Sequence, residues 1–175
     1  MQAQRKGVGK GKDIEVEKLE DRYEQTAAAS LYYACREAGV PRLVEEIARY
    51  SGAHQDEIKR VYDSMKKALK LNPVVPRTQL YVPRICGDLK LSGAVQRKAI
   101  EILDAAEKAG IDTTAGLKKY LGAAIYRASI VCRERRTQRE VSDVTYQTQV
   151  TIRNGYNEIE ARLDASVWGP KDTRS

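Results

Sequence analysis

Apolar residues recur at helical spacing through nearly the whole chain: Ala27, Ala28, Leu31, Ala34, Cys35 and Ala38, then Ile58, Val61, Tyr62, Met65 and Leu69, then Tyr81, Val82, Ile85, Cys86 and Leu89. Val95, Ala99, Ile102, Leu103 and Ala106 continue the pattern. So do Leu117, Leu121, Ala124, Ile125 and Ala128, and finally Ile152, Tyr156, Ile159 and Leu163. Steps of three and four bring such residues onto one face of a 3.6-residue helix. No segment keeps up the two-residue alternation of a half-buried strand. The pattern predicts an all-α protein of about eight helices, with five of them after residue 76.

The breaks agree with the helices. Gly39-Val40-Pro41 stops one, Asn72-Pro73 another, Ser92-Gly93 and Gly110 separate the next pair, and Gly169-Pro170 closes the last. Pro83 falls in the first turn of a predicted helix, where its missing N–H would have no intrahelical partner anyway.

The chain also matches itself without gaps at an offset of 94. Ala29, Tyr32, Ala34, Arg42, Glu46, Gln55, Ile58, Tyr62 and Leu69 recur as Ala123, Tyr126, Ala128, Arg136, Glu140, Gln149, Ile152, Tyr156 and Leu163, which is 9 identities over 42 positions. Apolar positions match by type as well, as in Leu31 with Ile125, Ile47 with Val141 and Met65 with Ile159, so two copies of one helical unit are expected. They are unequal. Two helices, about residues 78–90 and 93–109, precede the matched region in the second copy, whereas only a basic and then acidic segment precedes it in the first. The expected organisation is an N-terminal arm over 1–25, an incomplete first repeat over 26–75, a five-helix second repeat over 76–165 and a tail over 166–175.

Within the second copy, Thr137–Val144 is predicted as a short helix with Thr137 as N-cap, Tyr146-Gln147-Thr148 as a turn, and Gln149–Leu163 as a longer helix. That is the order of a helix-turn-helix, whose second helix can lie in a DNA major groove. At about 100° per residue, Ile152, Tyr156, Ile159 and Leu163 form one stripe and Val150 points away from it. Val150, Thr151 and Arg153 then suit base-edge contact: a methyl against thymine and a guanidinium fork against guanine. Arg133, Arg135, Arg136 and Arg139 lie just before and within the shorter helix, where they can meet phosphates. The bland alternative is a solvated face with Glu134 and Glu140 as local partners.

Charge is compatible with such a ligand. The 175 residues hold 31 Lys and Arg against 24 Asp and Glu, a net +7. No stretch approaches the roughly 18 apolar residues of a membrane span. The basic start has no apolar stretch after it to form a signal peptide, so export is not expected. Cys35, Cys86 and Cys132 form no CxxC pair and His54 is the single histidine, so no metal or other cofactor is expected. The cysteines read as small hydrophobes in a reducing compartment. Catalysis has no support either. His54 has no evident nucleophile partner, and GVGKGKD lacks the strand and the Ser or Thr of a phosphate-binding loop.

RRTQREVSDVTYQTQVTIRNGYNEIEARL, residues 135–163, resembles the end of the second cyclin-like repeat of archaeal transcription factor B, the counterpart of eukaryotic TFIIB. ACREAGVPRLVEEIARYSG, residues 34–52, resembles the matching part of the first repeat, and LYVPRICGDLKLSGAVQRKAIEILDAAEKAG, residues 80–110, the opening of the second. The resemblance implies two cyclin-like folds that bind the TATA-binding protein and double-stranded promoter DNA upstream of the TATA box. Val150, Thr151 and Arg153 match the family's base-reading positions. Lys10-Gly11-Lys12 is similar to a family loop that touches DNA, which makes Lys10 and Lys12, with Arg135, Arg136 and Arg139, the expected phosphate contacts.

Some positions depart from the family pattern. No zinc ribbon or finger-like segment is found in these residues, so recruitment of RNA polymerase is not expected from them alone. Tyr146 stands where the family has a turn glycine that the first copy keeps as Gly52, and Gly155 stands where the family often has Arg. A monomer in the cytoplasm, at an archaeal nucleoid, is expected, or a nuclear location if the source is eukaryotic. The other class left open is a cyclin-like protein-interaction module that regulates or competes with a full-length factor.

Overall fold

The computed structural model describes residues 10–169, with the side chains of residues 22–164 and 166–169. Its elements run α1 (Lys10–Glu37), α2 (Val44–Ser51), α3 (Gln55–Ala68), a 3-10 turn (Thr78–Tyr81), α4 (Val82–Asp88), α5 (Gly93–Lys108), α6 (Leu117–Val131), α7 (Gln138–Thr145), α8 (Gln149–Glu160) and α9 (Ala165–Trp168). Among the described residues there is no strand, and the fold is all-α. The chain divides into two compact units between Val74 and Val75.

In the first unit α1 is the helix on which α2 and α3 pack. Its core is Ala28, Ala29, Val44, Ile47, Ala53, Ile58 and Tyr62, flanked by Tyr32, Tyr33, Ala48, Val61 and Met65. Burial along the described part of α1 begins only at Ala28. Residues 10–25, expected as an arm ahead of the repeat, instead continue the α1 helix toward its N-terminus. Lys10-Gly11-Lys12 is thus the first turn of a helix and not a loop, while the Lys10 and Lys12 side chains lie outside the described residues.

In the second unit α6 is the central helix. Tyr120, Leu121, Gly122, Ala123, Ala124, Ile125, Arg127, Ala128 and Ser129 are all buried, so it is covered on every side, as a helix apolar all round must be. Small residues make that possible. A Cβ on Gly155 of α8 would lie 2.8 Å from Lys119 Cγ, 2.9 Å from the Lys119 carbonyl oxygen and 3.2 Å from Ala123 Cβ. A Cβ on Gly122 of α6 would lie 3.1 Å from Ile152 Cγ1. The two helices therefore approach closely at two points, Gly155 against Lys119 and Ala123 and Gly122 against Ile152, and at each of them one helix carries no side chain. Gly155, which stands where the family often has Arg, is buried against α6.

The internal symmetry holds in the backbone. Val44–Ser51 and Gln138–Thr145, exactly one repeat offset apart in sequence, are both complete helices. Tyr32 meets Tyr62 edge to face at 5.1 Å and Tyr126 meets Tyr156 the same way at 5.9 Å. The correspondence also outlasts the matched residues. Arg36 Nε donates to the Val74 carbonyl at 3.2 Å, and Arg127 Nε to the Trp168 carbonyl at 2.7 Å, so the chain leaving each repeat is pinned back by an arginine of its central helix. Arg127 is wholly buried, its guanidinium 5.2 Å from the Trp168 ring, and Trp168 meets Tyr156 edge to face at 4.8 Å with 2% of its surface exposed. Residues 166–169, expected as the start of a tail, therefore supply part of the core.

Gly155→Ala gains about 1 kcal/mol of helix propensity and loses about 1 to 3 kcal/mol to overpacking. Because one blocking atom is a backbone oxygen, overpacking prevails, and the urea midpoint is expected to fall with an unchanged slope. A raised midpoint would show slack at the crossing.

Candidate nucleic-acid interface

Local chemistry sets both ends of α7. Thr137 accepts the Glu140 N–H at 3.2 Å, and the Glu140 carboxylate accepts the Thr137 N–H and hydroxyl, both at 2.7 Å, a reciprocal cap. These bonds from Thr137 hold Glu140 below its ordinary ionisation range. At the other end Tyr146 adopts φ 53° and ψ 44°, donating its N–H to the Ser142 carbonyl. Its counterpart Gly52 has φ 77°. The turn requires a left-handed residue, and only the first copy spends a glycine on it. Thr148 then caps α8, accepting the Thr151 N–H at 3.1 Å.

On α8, Ile152, Gly155 and Ile159 are buried against α6. Gln149, Val150, Arg153, Asn154 and Asn157 share the opposite arc and are exposed, Val150 at 65%. No carboxylate among the described residues pairs with Arg153. Thr151 borders the arc: it is half-buried and its hydroxyl is tied to Thr148 Oγ1 at 2.8 Å. Gln149, Asn154 and Asn157 were not singled out by the apolar stripe, which marks only the buried side. Projecting the exposed arc would have found them, and amides of this kind can bond adenine edges.

The arginines divide. Arg135 and Arg139 are exposed at the start of α7, and Arg133, with φ 61°, is exposed just before it. Arg136 is the exception among the expected phosphate contacts. Its Nε and Nη2 donate to the Leu89 carbonyl at 3.0 and 2.9 Å, Nη2 also to Lys90, and Nη1 to the carbonyls of Glu134 and Arg135. A planar fork of donors has here been used to close the orphan carbonyls at the end of α4. The acids expected to neutralise this cluster are occupied as well. Glu134 accepts the N–H and hydroxyl of Ser92, which hold it below its ordinary range, and Glu140 is committed to Thr137.

A three-residue bridge holds the arc in place. Lys119 Nζ donates to Glu158 Oε2 at 2.7 Å and the Tyr120 hydroxyl to Oε1 at 2.8 Å, joining α6 to α8. Lys119 also lies 4.5 Å from the Tyr120 ring. Hydrogen bonding from Lys119, then from Tyr120, holds the Glu158 carboxyl below its ordinary pKa, and the same Lys119 bond raises the pKa of the ammonium. The first copy carries different residues at the corresponding positions: Asp56, Glu57 and Lys59 stand where Val150, Thr151 and Arg153 stand in the second. Among the described residues no group of side chains could hold a metal ion. Cys86 is buried, which pushes its thiol up to about 12, whereas Cys35 and Cys132 are half-buried.

The family model of the transcription factor TFIIB repeat matches residues 21–68 and 73–162. The chain is 47% identical over 146 residues to transcription initiation factor IIB of Archaeoglobus fulgidus, covering 82% of this chain and 44% of that protein. It is 48% identical over 146 residues to the factor of the same name from Methanosarcina mazei (82% and 43%), and 42% identical over 162 residues to that of Methanococcus maripaludis (93% and 45%). It thus spans less than half the length of these relatives.

Tyr146→Gly is expected to raise stability by about 1 kcal/mol, since a left-handed non-glycine residue costs roughly that much; chemical denaturation measures it, and a loss would mean the ring contributes more than the strain. Glu158 supplies a pH dependence. A lowered folded-state pKa stabilises above the unfolded value and ceases to do so as pH falls through the folded one. The stability gap between wild type and Glu158→Gln should therefore be fullest at neutral pH and close below the ordinary glutamate value of 4.5. A gap of equal size at pH 7 and in strong acid would remove the bridge as its source.

Proposed function

The chain belongs to the transcription factor TFIIB repeat family, and from that premise we propose that it is a general transcription initiation factor that docks on the TATA-binding protein and reads promoter DNA upstream of the TATA box. The family is one of transcription factors, not of enzymes. The observation that carries the DNA reading is the exposed arc of α8, where Val150 and Arg153 face away from the core beside Gln149, Asn154 and Asn157.

In this reading α8 enters the major groove. Arg153 donates to guanine, Val150 packs on a thymine methyl, and Thr151 borders the contact. Arg135 and Arg139 meet the flanking phosphates and set the register without reading sequence. Arg136 positions α7 by its bonds to the end of α4 and is left out of the phosphate set. Lys10 and Lys12 remain proposed phosphate contacts from the basic start of the chain. Docking on the TATA-binding protein is supported by membership of the family, and the two repeats, 26–75 and 76–165, would share that task.

The decisive experiment is a gel shift on a TATA-containing duplex with and without TATA-binding protein. A further shift when both proteins are present supports partner and ligand together. Arg153→Ala is expected to cost about 1 to 3 kcal/mol at a cognate site and to relax one base preference. Arg139→Ala should weaken all sequences alike and lower the salt slope by about 1, whereas Arg136→Ala should reduce stability and leave the slope unchanged. Equal affinity of wild type and Arg153→Ala for every duplex would instead favour a protein-interaction module without promoter reading.

A further inference from the structure

The chain that leaves the second unit is held more closely than the chain that leaves the first. Each is caught by an arginine of its central helix, and the two captured residues, Val74 and Trp168, stand 94 positions apart, one full repeat offset. Val74 is 59% exposed, whereas Trp168 is buried. The copy that carries the exposed arc of Val150 and Arg153 therefore has an anchor that its counterpart lacks.

The strap formed by α9 and Gly169 touches three helices. α9 packs against α5. Gly169, at φ 86°, comes so close to α6 that a Cβ on it would stand 2.9 Å from Val131 Cγ2. The Trp168 ring meets Tyr156 of α8, and Arg127 Nη1 donates to the Tyr156 hydroxyl at 3.3 Å. Around α8, Tyr156 and Glu158 are two residues and so about 200° apart. The Glu158 bridge grips one edge of the helix and the strap the other, with Ile152, Gly155 and Ile159 seated on α6 between them. The close crossing with α6 selects which face turns inward, and these two edges resist smaller rotations. A rotation of about 20° carries an atom about 6 Å from the axis through about 2 Å, enough to break a hydrogen bond to a base edge. Trp168 Nε1 is buried without an acceptor among the described residues, a cost that a phenyl ring would avoid. Ring area, and not the indole N–H, is therefore what Trp168 contributes to the hold on α8.

We propose that Trp168 and Arg127 are positioning residues for α8: together they fix its rotation about its own axis, and so the aim of Val150 and Arg153, without touching a ligand. The consequence for DNA rests on promoter reading by α8, while the hold on α8 does not.

The test uses the full chain and reads α8 directly by amide hydrogen exchange without DNA. In Trp168→Ala the α8 amides should exchange at least about tenfold faster while those of α5 and α6 keep their rates, and Trp168→Phe should restore wild-type exchange to within about twofold. Should Trp168→Ala fail to fold, Arg127→Lys carries the same test, because an ammonium keeps the charge but loses the fork that joins Trp168 to Tyr156. In gel shifts with TATA-binding protein, the loosened variant should lose at least about tenfold of its preference for a cognate over a random duplex, with affinity for the random duplex and the salt slope unchanged. Exchange that quickens equally in α5, α6 and α8 makes the strap a general stabiliser and overturns the proposal, as does unchanged exchange in α8. Full preference retained by a variant with loosened α8 equally overturns it. If the wild type shows no sequence preference, promoter reading fails, and the exchange rates alone decide whether the strap holds α8.

Discussion

The close crossing of α6 and α8 is the constraint on which the candidate interface depends. Gly155 meets the backbone of Lys119, and Ile152 presses on Gly122, so α8 has one rotational setting in which both contacts fit. That setting faces Val150 and Arg153 outward. The bridge from Lys119 and Tyr120 to Glu158 then holds the adjoining edge of the helix. A rotation of one residue, about 100°, would drive a side chain into the α6 backbone. The direction of the exposed arc is therefore set by the core beneath it.

Two copies of one helical unit have been given different chemistry on the same frame. The glutamate that accepts the N–H of the residue before each short helix (Glu46 from Leu43, Glu140 from Thr137), the left-handed turn and the edge-to-face tyrosine pair are shared, because they satisfy backbone groups and fill a core that both copies possess. The outward positions are not so constrained, and there Asp56, Glu57 and Lys59 replace Val150, Thr151 and Arg153. The bridging positions diverge as well: Gln25, Thr26 and Ser64 stand where the second copy has Lys119, Tyr120 and Glu158.

Arginine is used in three ways that its sequence context does not distinguish. Arg136 closes carbonyls at the end of α4, Arg127 lies buried between Trp168 and Tyr156, and Arg139 and Arg153 are open to solvent. The guanidinium suits all three because it is always charged, weakly hydrated and donates along fixed directions. What separates a structural arginine from a ligand-binding one is whether carbonyl oxygens are already within reach.

The sequence by itself determined the helices after residue 26, the Thr137 cap, the doubling at an offset of 94 and the outward direction of Val150, because spacing and capping chemistry are local and periodic. It also marked Tyr146 as a left-handed position through its alignment with Gly52. Contacts between segments distant in the chain were decided only by the tertiary structure. These include the fit of Gly155 against Lys119, the capture of Trp168 by Arg127 and the commitment of Arg136 to Leu89. No periodicity encodes them, since each depends on how closely two helices approach and on which polar groups their packing leaves without water.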